Sequence, residues 1–123
     1  YYSILGNYMK PNFKVDRVDS PRHRKFVASQ PCLITGSKDG VQAHHLLRTG
    51  EHGTGIKSSD IWCIPLHHTV HDALHKNGNE VVFFANHGRD YERVKEIARN
   101  LSNESPDIKI RMAMKIYQQN KED

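Results

Sequence analysis

Long apolar runs are absent from this 123-residue sequence, in which 37% of the residues are hydrophobic and 26% are charged. No stretch approaches the roughly 18 apolar residues of a membrane span. The sequence also lacks the basic segment, apolar stretch and small-residue cleavage site of a secretory signal. Its two cysteines, Cys32 and Cys63, are too few for a disulfide framework. We therefore expect a chain that does not enter a membrane and that works in a reducing, cytoplasmic setting.

Repeats and low-complexity segments are also lacking, and the length suits one domain with one modest core. The net charge of +4 is unevenly placed, because the segment from Lys10 to Lys25 alone carries it. Two interpretations are open. The segment could lie along a nucleic-acid backbone, where each neutralised phosphate releases counterions, or it could be a solvated basic stretch that favours solubility. Its six basic residues are Lys10, Lys14, Arg17, Arg22, Arg24 and Lys25.

The first half of the chain predicts one short helix and one hairpin. Residues 1–20 show no period, which indicates an irregular arm. Ser20 as N-cap and Pro21 at the first helical position predict a short helix. The glycines of "GSKDG" predict a hairpin between "CLIT" and "VQAHHLL". The glycine-rich "RTGEHGTGIKSSD" predicts a long functional loop.

The second half predicts a buried extended segment at "IWCIPL" and a helix from about Leu66 through His75 that Gly78 ends. "EVVFF" predicts a strand. Two amphipathic helices follow, and we expect their aliphatic stripes to lie in the core or at a subunit contact. The stripes are Tyr91, Val94, Ala98 and Leu101 in the first helix and Ile108, Met112 and Ile116 in the second.

Histidine is the residue in excess, since seven of the nine histidines lie between His44 and His75. His71 and His75 are four residues apart, so on a helix both imidazoles share one face and can bind one ion. The strand that carries His44 and His45 is the obvious source of a third ligand. Neighbouring residues on a strand point to opposite faces. We therefore expect one of this pair to bind metal and the other to carry out proton chemistry.

These motifs stand in a familiar order: "PCLITG", "VQAHHL", "GTGIKSSD", "IPLHHTVHDALH" and "NGNEVVFF". In that order they resemble the HNH (ββα-metal, or His-Me finger) endonucleases, and especially a phage- and prophage-type subgroup related to recombination-enhancement nucleases. The resemblance implies an α+β fold with a basic arm at residues 1–20 and a ββα-metal core at residues 21–86. A C-terminal helical extension at residues 87–123 would complete the single domain.

The resemblance also implies roles for individual residues. His44, His71 and His75 would bind a divalent ion such as Mg²⁺, Mn²⁺ or Zn²⁺. His45 would be the general base that activates water. Asp60 would orient His45, in place of the asparagine that the family uses. The substrate would be DNA, and a recombinase or another DNA-processing protein could direct the cleavage in a bacterial or phage-infected cell.

One departure from the family concerns a second, structural zinc, which many relatives bind through two short cysteine or histidine knuckles. Cys32 keeps the first ligand position, but Thr35 and Val70 occupy two of the others. Cys63 with His67 or His68 could complete a site with Cys32. A lone cysteine is more often a buried free thiol.

A rival function class stays open beside the nuclease. A non-catalytic, zinc-stabilised DNA-binding or adaptor domain would use the histidines for a closed four-ligand site, whereas an enzyme keeps one position open. Taken singly, the histidines and Asp60 also have plain structural interpretations: surface residues, a hydrogen-bonded core histidine, and a turn or cap residue. Arg48, Lys57 and His68 could contact phosphate, or lie in solvent like His52.

Overall fold

The computed structural model describes residues 17–47 and 59–122. Within these residues, five α-helices and a two-stranded sheet form an α+β fold, as predicted at that level. The elements in chain order are α1 (Pro21–Ala28), β1 (Val41–His45), a 3-10 turn (Asp60–Trp62), β2 (Cys63–His67), α2 (His68–Asn77), α3 (Glu80–Asn86), α4 (Tyr91–Asn103) and α5 (Ile108–Glu122).

The sheet pairs β1 with β2 in antiparallel register, from Val41 opposite His67 to His45 opposite Cys63. Residues 61–66 are all buried, so this segment forms the centre of the core, as "IWCIPL" predicted. Helix α2 follows β2 directly. The predicted helix start near Leu66 is two residues early, because Leu66 and His67 still pair with β1.

Two helix boundaries follow the predicted signals. Ser20 caps α1 by accepting a hydrogen bond from the His23 amide at 3.0 Å, and Pro21 occupies the first turn. Gly78 ends α2 in the left-handed conformation (φ 83°) and donates its N–H to the Leu74 carbonyl. Both signals fix the backbone locally, so tertiary packing does not override them.

The predicted hairpin between "CLIT" and "VQAHHLL" is wrong. Gly36, at φ 76°, closes a tight turn in which its N–H donates to the Cys32 carbonyl at 2.9 Å, so a strand cannot extend there. The segment keeps one bond to the sheet, from the Leu33 amide to the Pro65 carbonyl at 3.0 Å. Because proline has no N–H, Pro65 cannot return a bond to a third strand.

The predicted strand at "EVVFF" is also wrong, because these residues form α3. Asn79 caps the helix by accepting from the Val82 amide at 3.2 Å. Glu80, Phe83 and Phe84 are buried, and helical spacing puts them on one face. A strand would send Phe83 and Phe84 to opposite sides, so burial of both outweighs the β propensity of this run.

The two C-terminal helices form where predicted, but only one stripe lies in the core. In α4, Tyr91, Val94 and Ala98 are buried. In α5, Ile108, Met112 and Ile116 are 58%, 57% and 47% exposed, so they do not lie in the core of the chain, and a subunit contact stays a prediction for this stripe. The buried face of α5 instead carries Ile110, Ala113 and Met114. No helix in the described part of the chain is long and apolar enough to span a bilayer.

Candidate active site

Strand β1 presents its two histidines to different surroundings. His44 is 4% exposed and lies on the side of α2, where its ring is 5.0 Å from that of His71 between centroids. His45 is half-buried and reaches Asp60. The alternation of a pleated strand separates the neighbours in this way.

One cluster consists of His44, His71 and His75, whose candidate ligand atoms all lie within 4.8 Å of one another. Nε2 of His71 and Nε2 of His75 are 3.0 Å apart, and the i, i+4 spacing on α2 allows this contact. Burial, followed by the proximity of His44 and His75, lowers the pKa of His71. A lowered pKa favours the neutral imidazole, which is the form that binds metal.

The cluster runs from the core towards solvent: His44 is buried, His71 is half-buried and His75 is exposed. An ion bound there would be reached from the α2 side. Three imidazoles suit Zn²⁺, Mn²⁺ and related divalent ions and leave further coordination positions open.

The second cluster contains His45, whose Nε2 lies 2.5 Å from Oδ1 of Asp60. Burial opposes ionisation of Asp60. The hydrogen bonds from His45 and the Ser20 amide, with the charges of His45 and Arg24, outweigh burial and lower the pKa of Asp60. An ionised carboxylate only accepts hydrogen bonds, so Nε2 of His45 donates and its Nδ1 is left as the basic nitrogen.

Asp60 is itself held by the N-terminal end of α1. Its Oδ2 accepts from the Ser20 amide at 2.6 Å and from the Arg24 guanidinium. The Ser20 hydroxyl in turn donates to Oδ2 of Asp107 at 2.5 Å, just before α5. Arg24 belongs to the basic segment, and it binds Asp60 and Asp19. Its charge is therefore paired within the chain.

Glu80 is a residue that sequence reasoning missed. It is 4% exposed, and its Oε2 lies 2.8 Å from Nε2 of His44. Burial opposes its ionisation, but hydrogen bonds from His44, Tyr91 and the Leu47 amide outweigh burial and lower the pKa of Glu80. The sequence does carry one indication of this helix, the helical spacing of residues 80, 83 and 84. The valine and phenylalanine content of the segment favoured a strand instead.

The cysteines do not assemble the second zinc site that Cys63, His67 or His68 could have completed with Cys32. Both cysteines are buried, and neither forms a disulfide. Among residues 17–47 and 59–122, Cys63 groups with His45 and Asp60, and Cys32 joins no group of three candidate ligands. The zinc knuckle of the resembling family therefore has no counterpart in the described residues.

Other predicted contacts fall at the rim of the site or beyond the described residues. Arg48, His52 and Lys57 lie outside the described residues. His68 is exposed at the start of α2, and its ring lies 4.2 Å from that of His67. Arg17, Arg22 and Lys25 are exposed beside or on α1.

A comparison with family models matches residues 6–105 to the family described as "Protein of unknown function (DUF968)". The match covers most of the chain and includes both clusters. The chain belongs to the DUF968 family. Neither the curated proteins nor the solved structures gave a match. The description of DUF968 carries no activity, so the function must be argued from the geometry of the two clusters.

Proposed function

We propose that this DUF968 chain is a metal-dependent endonuclease of the HNH type that hydrolyses DNA phosphodiester bonds. One observation carries the proposal. Adjacent histidines of β1 join two different clusters: His44 joins His71 and His75, and His45 pairs with a buried carboxylate. A metal site beside a separately oriented base is the arrangement that metal-assisted hydrolysis needs.

The base side of the reaction follows from the hydrogen bonds of His45. Asp60 accepts a hydrogen bond from Nε2–H of His45, so Nδ1 of His45 can accept a proton from water. The Ser20 amide and the Arg24 guanidinium fix the carboxylate, which keeps the imidazole in one orientation. Asp60 thus takes the orienting role that the resembling family gives to asparagine.

The metal side rests on the fit of three imidazoles, two of which lie with their Nε2 atoms 3.0 Å apart. A divalent ion bound there supplies Lewis-acid polarisation of the phosphate and stabilises the charge on the leaving oxygen. His71 and His75 contribute from one helix face and His44 from the strand. Substrate would enter from the exposed side, where His75 lies.

DNA is the favoured substrate because basic groups flank the cluster of His45 and Asp60. Arg17, Arg22 and Lys25 are exposed beside or on α1, the helix whose N-terminal end holds Asp60. Such groups contact phosphates without reading bases, which implies little sequence specificity. The rival zinc-adaptor function needs a fourth protein ligand, whereas the described group around His44 offers three.

The experiment incubates purified protein with supercoiled plasmid and with linear single-stranded DNA, in Mg²⁺, in Mn²⁺ and with EDTA. We expect metal-dependent nicking or cleavage that EDTA abolishes. A matched His71→Ala protein should neither bind metal nor cut, since two imidazoles hold an ion far more weakly than three. Stoichiometric zinc with no cleavage of either substrate in any metal would contradict the nuclease and favour the adaptor.

A further inference from the structure

We infer that Glu80 and Gln42, which are not themselves ligands, select the ring tautomers of two metal-binding histidines. They set His44 to bind through Nδ1 and His71 to bind through Nε2. This inference rests on the proposed metal site and assigns the atoms that build it. Glu80 and Gln42 are positioning residues, since each acts through an imidazole.

The first half of the inference comes from the contacts of Glu80. Its Oε1 accepts from the Leu47 amide at 2.8 Å and from the Tyr91 hydroxyl at 2.5 Å. Two donors on one oxygen stabilise the ionised form of the carboxyl group, and an ionised carboxylate cannot donate. Oε2, at 2.8 Å from Nε2 of His44, therefore accepts the Nε2 proton. Because a neutral imidazole carries one proton, Nδ1 of His44 keeps its lone pair.

The Glu80 carboxylate is also firmly placed. It lies in the first turn of α3, its partner Tyr91 begins α4, and Leu47 follows β1. These contacts tie two helices and the strand to one carboxylate. His44 and Glu80 are each 4% exposed, so little water competes for this hydrogen bond.

The second half of the inference comes from Gln42, which lies two residues before His44 on β1. Its amide oxygen, Oε1, is 2.8 Å from Nδ1 of His71. An amide oxygen only accepts, so Nδ1 of His71 donates and its Nε2 keeps the lone pair. That Nε2 is the atom that lies 3.0 Å from Nε2 of His75.

Fixing the tautomers of His44 and His71 in advance should strengthen metal binding, because these two rings need not reorient or exchange protons when the ion arrives. A buried carboxylate also raises the basicity of the ligand to which it is bound. Partners of this kind commonly account for 10–100-fold in metal affinity. We expect the larger effect at Glu80, which is charged and buried, and the smaller at Gln42, which is neutral and exposed.

The test reads the tautomers by NMR of ¹⁵N-histidine-labelled protein, without metal and with one equivalent of Zn²⁺. We expect the His44 proton on Nε2 in both states and zinc on Nδ1. In parallel, competition with a chelator measures Zn²⁺ affinity. Glu80→Gln should weaken it about 10–100-fold, because a glutamine amide can also donate and no longer selects one tautomer. Gln42→Ala should weaken it less, and the control Glu104→Gln, at an exposed glutamate after α4, should not change it.

A His44 proton on Nδ1, or zinc bound to Nε2 of His44, would overturn the inference. So would unchanged affinity in a folded Glu80→Gln protein. If Glu80→Gln does not fold, the wild-type spectra still decide the tautomers. Tyr91→Phe then tests the placement of the carboxylate, because it removes one hydrogen bond to Glu80 and leaves the carboxylate itself intact. No readout involves DNA. A protein that binds zinc through Nδ1 of His44 but never cuts contradicts the nuclease alone.

Discussion

At the scale of single residues, side-chain direction separates two chemically identical groups. His44 and His45 differ by one position, yet one joins an imidazole cluster and the other a carboxylate. Because successive strand residues face opposite sides, a substitution at one position need not disturb the surroundings of the other. The two proposed roles can therefore be tested separately.

A third histidine, His23, has a structural role. It is fully buried in α1, and its Nδ1 lies 2.8 Å from the Ser105 hydroxyl. Its Nε2 is buried without a hydrogen-bond partner among the described residues. Burial lowers the pKa of His23 to about 4, although the charges of Asp60 and Asp107 oppose the shift.

We predict that the metal-free protein loses stability as the pH falls from about 6.5 to about 4. In this range His23 is protonated in the unfolded chain but stays neutral in the folded chain, so protonation favours the unfolded state. The loss should reach about 2–3 kcal/mol, and His71, whose pKa is also lowered, adds in the same direction. Asp60 and Glu80, with lowered pKa values, keep their stabilisation down to about pH 5 and lose it progressively below that pH.

Urea unfolding at about pH 7 and about pH 5, with EDTA present, measures this dependence. In a His23→Leu protein the difference between the two pH values should shrink to the His71 share, because leucine stays buried without titrating. An equal loss of stability in wild type and His23→Leu would show that His23 is not responsible.

At the scale of elements, capping and stop signals predicted α1 and α2 well, because Ser20, Pro21 and Gly78 act on their own backbone. Composition predicted the wrong secondary structure at "EVVFF" and "CLIT". The first became a helix through the burial of Phe83 and Phe84, and the second became a turn through Gly36. Those outcomes depend on tertiary neighbours and partner strands, which no local pattern contains.

The turn before β1 gives a prediction with a matched control. Gly40 (φ +67°) and Gly36 (φ +76°) both have a left-handed backbone conformation. Substitution by alanine should therefore lower the free energy of unfolding by about 1–2 kcal/mol at each position. A Cβ on Gly40 would also lie 2.9 Å from His68 Cδ2 and 3.1 Å from His67 Nε2, whereas one on Gly36 meets nothing within 4 Å. Gly40→Ala should therefore destabilise more.

The extra cost at Gly40 should be up to about 1 kcal/mol, because the two rings can partly give way. Moving His67 would also disturb its Nδ1, which accepts from the Thr69 amide at 3.2 Å at the start of α2. Thermal or urea unfolding of the two variants checks this difference. If the two alanine variants lose the same free energy of unfolding, the contact between the Gly40 position and the two rings does not affect stability.

At the scale of the whole molecule, α1 joins the basic N-terminal segment to the candidate site. It packs against both strands, and its N-terminal end holds Asp60 through Ser20 and Arg24. Removing residues 1–25 would therefore damage the site as well as the charge. Removing residues 1–16, which lie outside the described residues, takes away Lys10 and Lys14 and leaves this network in the chain.

We predict that the 1–16 deletion weakens DNA binding and makes the plot of log affinity against log salt shallower by up to about 2, at roughly 0.9 for each lost phosphate contact. Metal affinity should not change. Lys109→Ala combined with Lys115→Ala, both exposed on α5, serves as the control for general charge. An unchanged salt slope in the deletion protein would remove the segment from the DNA interface.

Much of the candidate site could be predicted and part could not. The i, i+4 spacing of His71 and His75 and the neighbouring pair on β1 are local patterns, and the structure brings these residues together. Glu80 and Gln42 reach the histidines only through tertiary packing, across 36 and 29 positions of sequence. Spacing along the chain carries no sign of such contacts.

The most direct measurement compares His44→Ala with His45→Ala, each assayed for metal affinity and for cleavage of plasmid at saturating metal. His44→Ala should lose metal affinity and cleavage together. His45→Ala should stay folded and keep its metal and its DNA binding, yet cut roughly 10²–10⁴-fold more slowly, the usual contribution of a positioned base. A metal-loaded, folded His45→Ala protein that cuts at the wild-type rate would contradict the account.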